Sequence, residues 1–372
     1  MSALGIIFSN IHDQIVPELT RGRTMASIPF GGRYRLIDFV LSPMVGAGME
    51  TIGVITKTNY QSLMNHVGRG RDWDLDRKSG GLMVLPPFGH MENNALYNNR
   101  LEALKGVLGI MRKSHEKYVV MSDCDIIANF DLAAAIKDHE ESGADITMVY
   151  KKTTLMGESR RMNKIMQLDE NNRVIDLAVY QGGQGEVNLG MDVLIIERTK
   201  LIAIVEDAIA HGYSSMSREI MAPNLDRMYI RGYEHKGYYC FIDSIESYMQ
   251  GNLDLLDREI RKELFDCEDR PIFTKVKDSP PTKYGANAEV KNSMIADGCT
   301  IEGTVENSIL FRGVKVGRGA VVRNSVLMQD VMAGENSELN YVVADKRVVV
   351  KDGRKLSGYI THPFFINKDS LI

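Results

Sequence analysis

The chain has 372 residues, of which 44% are hydrophobic and 25% charged, with a formal net charge of −4. That length predicts two domains, or one large one with an appendage, in a folded globular protein. The slight negative charge excludes a general attraction to nucleic acid or anionic lipid, and no apolar run approaches the ~18 residues of a membrane helix.

Cys124, Cys240, Cys267 and Cys299 lie far apart and form no CxxC pair. Neither a zinc site nor a disulfide framework is expected, and the thiols fit a reducing cytoplasm. The opening MSALGIIFSN has no basic segment before its apolar run, which argues against a secretory signal. The 21 methionines are expected to fill core.

Residues 4–8 form an apolar run long enough for a buried strand and too short for a helix. The loop after such a strand, 9–20, lies at the carboxyl edge of an α/β sheet, where ligands bind. A phosphate-cradling loop needs glycines, so that bare backbone N–H groups can approach the anion. This loop has none, and its Asp13 would repel a triphosphate. Arg21, Arg23, Arg33 and Arg35 then follow with no acidic residue between them. They read either as a solvated face or as an anion site for a phosphorylated regulator, since guanidinium forks suit phosphate.

A short helix at 39–48 and a strand at 51–57 give the strand–loop–helix–strand order of a parallel α/β sheet. Residues 58–72 read as helical. Residues 99–113 form an amphipathic helix with Leu101, Leu104, Leu108 and Met111 on one face. A strand at 118–121 runs into Ser122-Asp123-Cys124-Asp125. Carboxylates at the end of a central strand suit a divalent cation beside a pyrophosphate; the alternative is that they cap the next segment. Strands are expected at 146–151, 173–179 and 191–196, with Gly182-Gly183-Gln184-Gly185 as a turn between the last two. Pro271, Pro280 and Pro281 mark residues 265–284 as a linker. Beyond it Leu310, Val316, Val322 and Met328 recur every six residues, as do Ile295 with Ile301 and Val342 with Val348. Glycines punctuate the turns. This period reads as a hexapeptide-repeat β-helix.

IPFGGRYRLID at 28–38 and GYYCFIDSIESYMQGNLDL at 237–255 resemble the sugar-nucleotide pyrophosphorylases, ADP-glucose pyrophosphorylase in particular. The resemblance implies a Rossmann-like (GT-A-like) α/β nucleotidyltransferase domain with a mostly parallel sheet at 1–264, the linker at 265–284, and a left-handed parallel β-helix at 285–372. Aligned on Leu19-Thr20 and Phe30-Gly31-Gly32, the scaffold matches and the chemistry does not. The family's paired glycines fall on Asn10 and Ile11, and its third on Asp13. Its triphosphate arginine falls on Ile15 and its KP lysine on Met25. A cation replaced by isoleucine or methionine cannot stabilise charge on a transferring phosphoryl group.

The resemblance makes Asp123 a retained metal position. It places the second metal carboxylate on Phe241, with Asp243, two residues on and so on the same strand face, as a weak substitute. The family's sugar-phosphate glycine falls on Lys164, its Glu-Lys on Val179-Tyr180, and its Ser-Met-Gly on Asn188-Leu189-Gly190. Tyr180 cannot replace the lost lysine charge. WYRGTADA maps onto residues 96–103, keeping Tyr97 and turning Gly-Thr into Asn99-Arg100. Base-contacting glutamines fall on Phe88 and Gly89. Tyr97, Asn188 and Gly190 are thus a vestigial substrate pocket. The family's effector positions fall on Arg23 and Arg35, with an effector lysine replaced by Gly22.

The resemblance therefore implies a non-catalytic, regulatory type of subunit. Such a subunit pairs with a catalytic ADP-glucose pyrophosphorylase subunit, in a tetramer, and answers to a phosphorylated metabolite. No catalytic residue and no cofactor is expected, with Mg2+ needed only if activity remains. The alternatives are an active adenylyltransferase with a rebuilt site and a non-catalytic sugar-phosphate or nucleotide sensor. An acyltransferase is disfavoured, because His362, the one histidine after residue 235, lies past the repeats.

Overall fold

The computed structural model describes residues 2–87 and 97–372. Seven strands form the main sheet: β1 (Ala3–Phe8), β2 (Thr51–Ile55), β3 (Gly81–Leu85), β4 (Tyr118–Asp123), β5 (Ile146–Leu168), β6 (Val174–Glu197) and β7 (Ile230–Glu234). Their order is β7-β5-β6-β4-β1-β2-β3. All pairings are parallel except those of β6 with β4 and β5. Every residue of β1 is buried, which accounts for its unbroken apolar run. Alternation sends Ala3 and Ile7 into one core layer and Leu4, Ile6 and Phe8 into the other.

Several local expectations change. The helix expected at 99–113 is two, Arg100–Lys105 and Leu108–Lys113, with Asn99 accepting the Glu102 N–H at 2.9 Å as N-cap; Gly106, a poor helix former, stands at the break. The helix expected at 58–72 is Gln61–Val67 followed by a 3-10 turn. Residues 182–185 are no turn closing a hairpin. They bend the continuous strand β6, where Gly182 and Gly183 have φ of 71° and 140°.

The FGG motif makes a tight hairpin between Pro29–Phe30 and Tyr34–Arg35, with Gly31 and Gly32 at φ of 58° and 79°, which only glycine adopts freely. Asn252 accepts the Gly31 N–H at 2.9 Å, so the two stretches that carried the resemblance lock each other.

The linker expected at 265–284 is no loose tether. Ser42 Oγ accepts the Phe273 N–H at 2.9 Å, Thr274 is buried, and Lys275 donates to the Asn65 carbonyl at 2.5 Å. The strap lies along the first domain. Its final residues 283–284 already pair with Thr300–Ile301.

The C-terminal domain is three parallel five-stranded sheets, consistent with a left-handed β-helix. Its central coils close at 17 residues, Leu310 stacking on Leu327 and Leu327 on Ala344, whereas Ile295 stacks on Leu310 after 15 and Ala344 on Ile366 after 22. The six-residue step therefore holds within a coil but shortens at one corner. Met328, expected in the inward column, instead packs against the first domain with Phe311, Val326 and Val343. No described helix is long and apolar enough to cross a membrane.

Candidate functional site

The carboxyl ends of β1 and β4 adjoin each other, Phe8 pairing with Asp123. The loop after β1 satisfies itself. Asn10 Oδ1 accepts the Lys57 N–H at 2.9 Å, and Asn10 Nδ2 donates to the Asp13 carboxylate. Asp13 Oδ1 accepts the Met25 N–H at 2.7 Å, and the Asp13 carbonyl accepts from Thr20 Oγ1 at 2.6 Å. Asp13 and Asn10 thus take backbone amides that a glycine-rich loop would leave open to a ligand. Ile15 and Met25 join the apolar core beside it.

Burial pushes the Asp13 carboxyl up to about 7, against the hydrogen bonds from Met25 and Asn10. A carboxyl whose native value exceeds its unfolded one binds its proton more tightly when folded. Its contribution is therefore most favourable at acid pH and is lost as pH rises from about 4 through 7. Buried His66, His139 and His235 are pushed down and act oppositely on the acid side of 7. The contrast with Asp13→Asn isolates the carboxyl: urea unfolding of the wild type should lose roughly 2 kcal/mol relative to the variant between pH 5 and 7. Parallel pH profiles would refute the shift.

Three carboxylates and three cations meet beyond the loop. Asp123 Oδ1 accepts from Arg100 Nε at 3.1 Å, while Oδ2 accepts from the Arg100 terminal nitrogen and lies 2.7 Å from His12 Nε2. Arg100 also reaches Asp192 at 2.9 Å. Arg161 joins Asp125 to Asp192, and Lys164 pairs with Asp192. Burial would raise the Asp123 carboxyl, but Arg100 and His12 bring it to about 2. Burial is likewise overcome at Asp192, which Arg100, Lys164 and Arg161 hold well below the carboxylate range. Asp192 has φ of 57° within β6, a left-handed backbone uncommon for a non-glycine residue.

His12, Asp123 and Asp192 offer ligand atoms within 4.8 Å of one another. With Arg100, Arg161 and Lys164 on the same carboxylates, these residues do not fit a divalent ion, which needs uncompensated negative charge. Asp243 is outside the group: it accepts from Ser159 Oγ at 2.9 Å. Phe241 is close by, its ring 3.7 Å from the Arg161 guanidinium carbon.

The vestigial pocket is partly brought together and partly filled. A Cβ on Gly190 would meet Lys164 Cβ at 3.1 Å, and Asn188 Nδ2 donates to the Met166 carbonyl at 3.0 Å. The Tyr97 ring lies 5.7 Å from Lys57 Nζ. Tyr180 is 41% exposed and pairs with Asn163. A cavity of about 20 Å³ remains between Phe8, Arg100, Lys164, Asp192 and Met216, near the minimum for one water. Phe88, Gly89 and the position at 96 lie outside the described residues.

The four arginines are not one site. Arg23 is buried, and its Nη2 donates to both carboxylate oxygens of Asp345 in the β-helix, at 2.6 and 2.7 Å. Arg35 donates to Ser62 O and Oγ at 2.6 and 2.9 Å, and burial pushes it down to about 10. Arg21 and Arg33 are exposed. Lys346, unremarked in the sequence, lies at the domain seam, where burial with Arg35 and Arg23 pushes it down to about 7.

Residues 15–178 match the nucleotidyl transferase family, and residues 280–358 match the GlmU-like C-terminal hexapeptide family. A glycogen biosynthesis protein GlgD of Bacillus subtilis is 33% identical over 98% of this chain and 95% of its own length. The GlgD of Geobacillus stearothermophilus is 36% identical over 86% of this chain and 82% of its own. This chain belongs to the GlgD family. A glucose-1-phosphate adenylyltransferase of Bacillus cereus is also similar, 30% identical over 90% of this chain and 89% of its own. This chain is thus also related to the adenylyltransferases over most of its length.

Against that kinship, Arg100 stands where the family has threonine and Lys164 where it has glycine, and the sequence alone did not single out His12, Arg161 and Asp192. The signal was present: two uncharged positions, a threonine and a glycine, had become cations, and cations in a pocket need carboxylates.

Proposed function

We propose that this chain is a regulatory, catalytically impaired subunit of ADP-glucose pyrophosphorylase. It pairs with a catalytic subunit, as a heterotetramer in the cytoplasm, and modulates ADP-glucose formation for glycogen synthesis. The observation that carries this reading is the saturation of Asp123 by Arg100 and His12. A carboxylate so paired has no charge left for a metal or a pyrophosphate, and phosphoryl transfer depends on that stabilisation. The chain needs no cofactor of its own. The self-filled loop at Asp13 supports the same reading.

The conformational route is a biased equilibrium in the partner, transmitted through the subunit interface. An anionic effector would find Arg35 and Lys346 at the domain seam. An anion there relieves their mutual repulsion and returns Lys346 to its charged form.

Forward turnover of glucose 1-phosphate and ATP with magnesium tests the proposal on this chain alone, on a catalytic subunit alone and on the mixture. No turnover alone, with the mixture several-fold above the partner, is the expected result. Substantial turnover by this chain alone, lost in Asp123→Ala, would overturn it in favour of a rebuilt enzyme. Ligand-dependent thermal stabilisation without turnover or any effect on the partner would favour a sensor.

A further inference from the structure

Asp123, Asp125 and Asp192 converge from β4, the segment just after it, and β6, and each side chain is at most 3% exposed. Buried carboxylates so close require positive charge. Arg161, with a side chain 2% exposed, supplies part of it from inside the protein. One terminal nitrogen meets Asp125, the other meets Asp192, and the guanidinium plane is backed by Phe241. The fit is incomplete. Asp125 Oδ1 and Arg161 Nε are both buried and have no hydrogen-bond partner among the described residues. A planar fork presents donors in fixed directions, whereas a small ion accepts ligands from all sides.

We propose that Arg161 is an internal stand-in for a divalent cation, and that its removal opens a Mg2+ or Mn2+ site on Asp123, Asp125 and Asp192. Without Arg161 the three carboxylates face Arg100 and Lys164, leaving one negative charge unmatched. Asp125 then has no arginine or lysine on either oxygen, and His12 Nε2, 3.6 Å from Asp125 and 2.7 Å from Asp123, borders the site as a further ligand. In the native chain the same space holds a guanidinium that no cation from solution can displace without leaving it buried and unpaired. This inference concerns the chain alone and stands whether or not it regulates a partner.

Titration of the full chain with MnCl2, read by the electron paramagnetic resonance of free Mn2+, tests it. The native chain is expected to show no saturable binding. Arg161→Ala is expected to bind one Mn2+ at least about tenfold tighter, and Asp125→Asn added to it should abolish that binding. Mn2+ should raise the Tm of Arg161→Ala and leave that of the native chain unmoved. Saturable binding by the native chain at the affinity of the variant would overturn the proposal, as would a folded Arg161→Ala that binds no better than native. If Arg161→Ala is recovered only as aggregate, its refolding yield with and without MnCl2 decides: recovery that depends on Mn2+ supports the stand-in, and none overturns it.

Discussion

Asp192→Asn is expected to lower the stability of the first domain by about 3–5 kcal/mol, the usual cost of removing one partner from a buried ion pair. The side chain is 3% exposed and faces Arg100, Arg161 and Lys164 together. An amide of the same shape leaves packing intact, so the loss reports charge alone. Three cations would then face Asp123 and Asp125, and at least one would lie buried without a counterion. For a domain of this size the effect reads as a fall in Tm of roughly 10 °C. Lys164→Met added to Asp192→Asn removes the surplus cation and should recover part of the loss, a coupling of roughly 1–3 kcal/mol. A fall in Tm below about 2 °C for the single variant would mean that solvent screens the cluster, and the charge argument would fail with it. The pH dependence agrees in sign. Asp123 is depressed to about 2, so its contribution is present above the ordinary carboxylate value and is lost as pH falls from about 4 toward 2.

What was legible in the sequence divides along physical lines. Properties carried by neighbouring residues came through. The glycine-free loop and its Asp13 announced a closed phosphate site, and Asp13 does hold the Met25 amide. The six-residue step announced the β-helix. Properties that depend on closure in space did not. Nothing local in residues 310–328 says that a coil ends at 17 residues, so Met328 was placed in the inward column rather than at the domain seam. The Arg161 pairs span 36 and 31 positions, and Asp192 is reached only after β6 has bent at its glycines. The arginine run was misleading for the same reason. Adjacency along the chain grouped Arg23 with Arg21, whereas the fold pairs it with Asp345, 322 positions away.

That pair is the second place where a large effect is expected, because it spans the two domains. Arg23→Met should cost about 3–5 kcal/mol, since Asp345 would remain buried without its cation. Both side chains are at most 5% exposed, so solvent offers Asp345 little compensation. Arg23 also directs Nη1 at Met328 Sδ, 3.7 Å away, within the apolar seam of Phe311, Val326 and Val343. The methionine replaces the stem of the arginine in that seam, so the expected loss is electrostatic rather than steric. Asp345→Asn keeps an oxygen for the Lys346 N–H, which Asp345 accepts at 2.7 Å. The double variant Arg23→Met/Asp345→Asn should therefore be more stable than Arg23→Met alone, because no unpaired charge remains. Differential scanning calorimetry distinguishes the outcomes. Loss of the pair should separate the unfolding of the β-helix from that of the first domain, while the native chain melts in one coupled step. If Arg23→Met melts as a single step at the native temperature, the apolar seam alone holds the domains together and the ion pair has no part in coupling them. If the double variant is no more stable than Arg23→Met, the cost lies in lost packing at Met328 rather than in the stranded carboxylate.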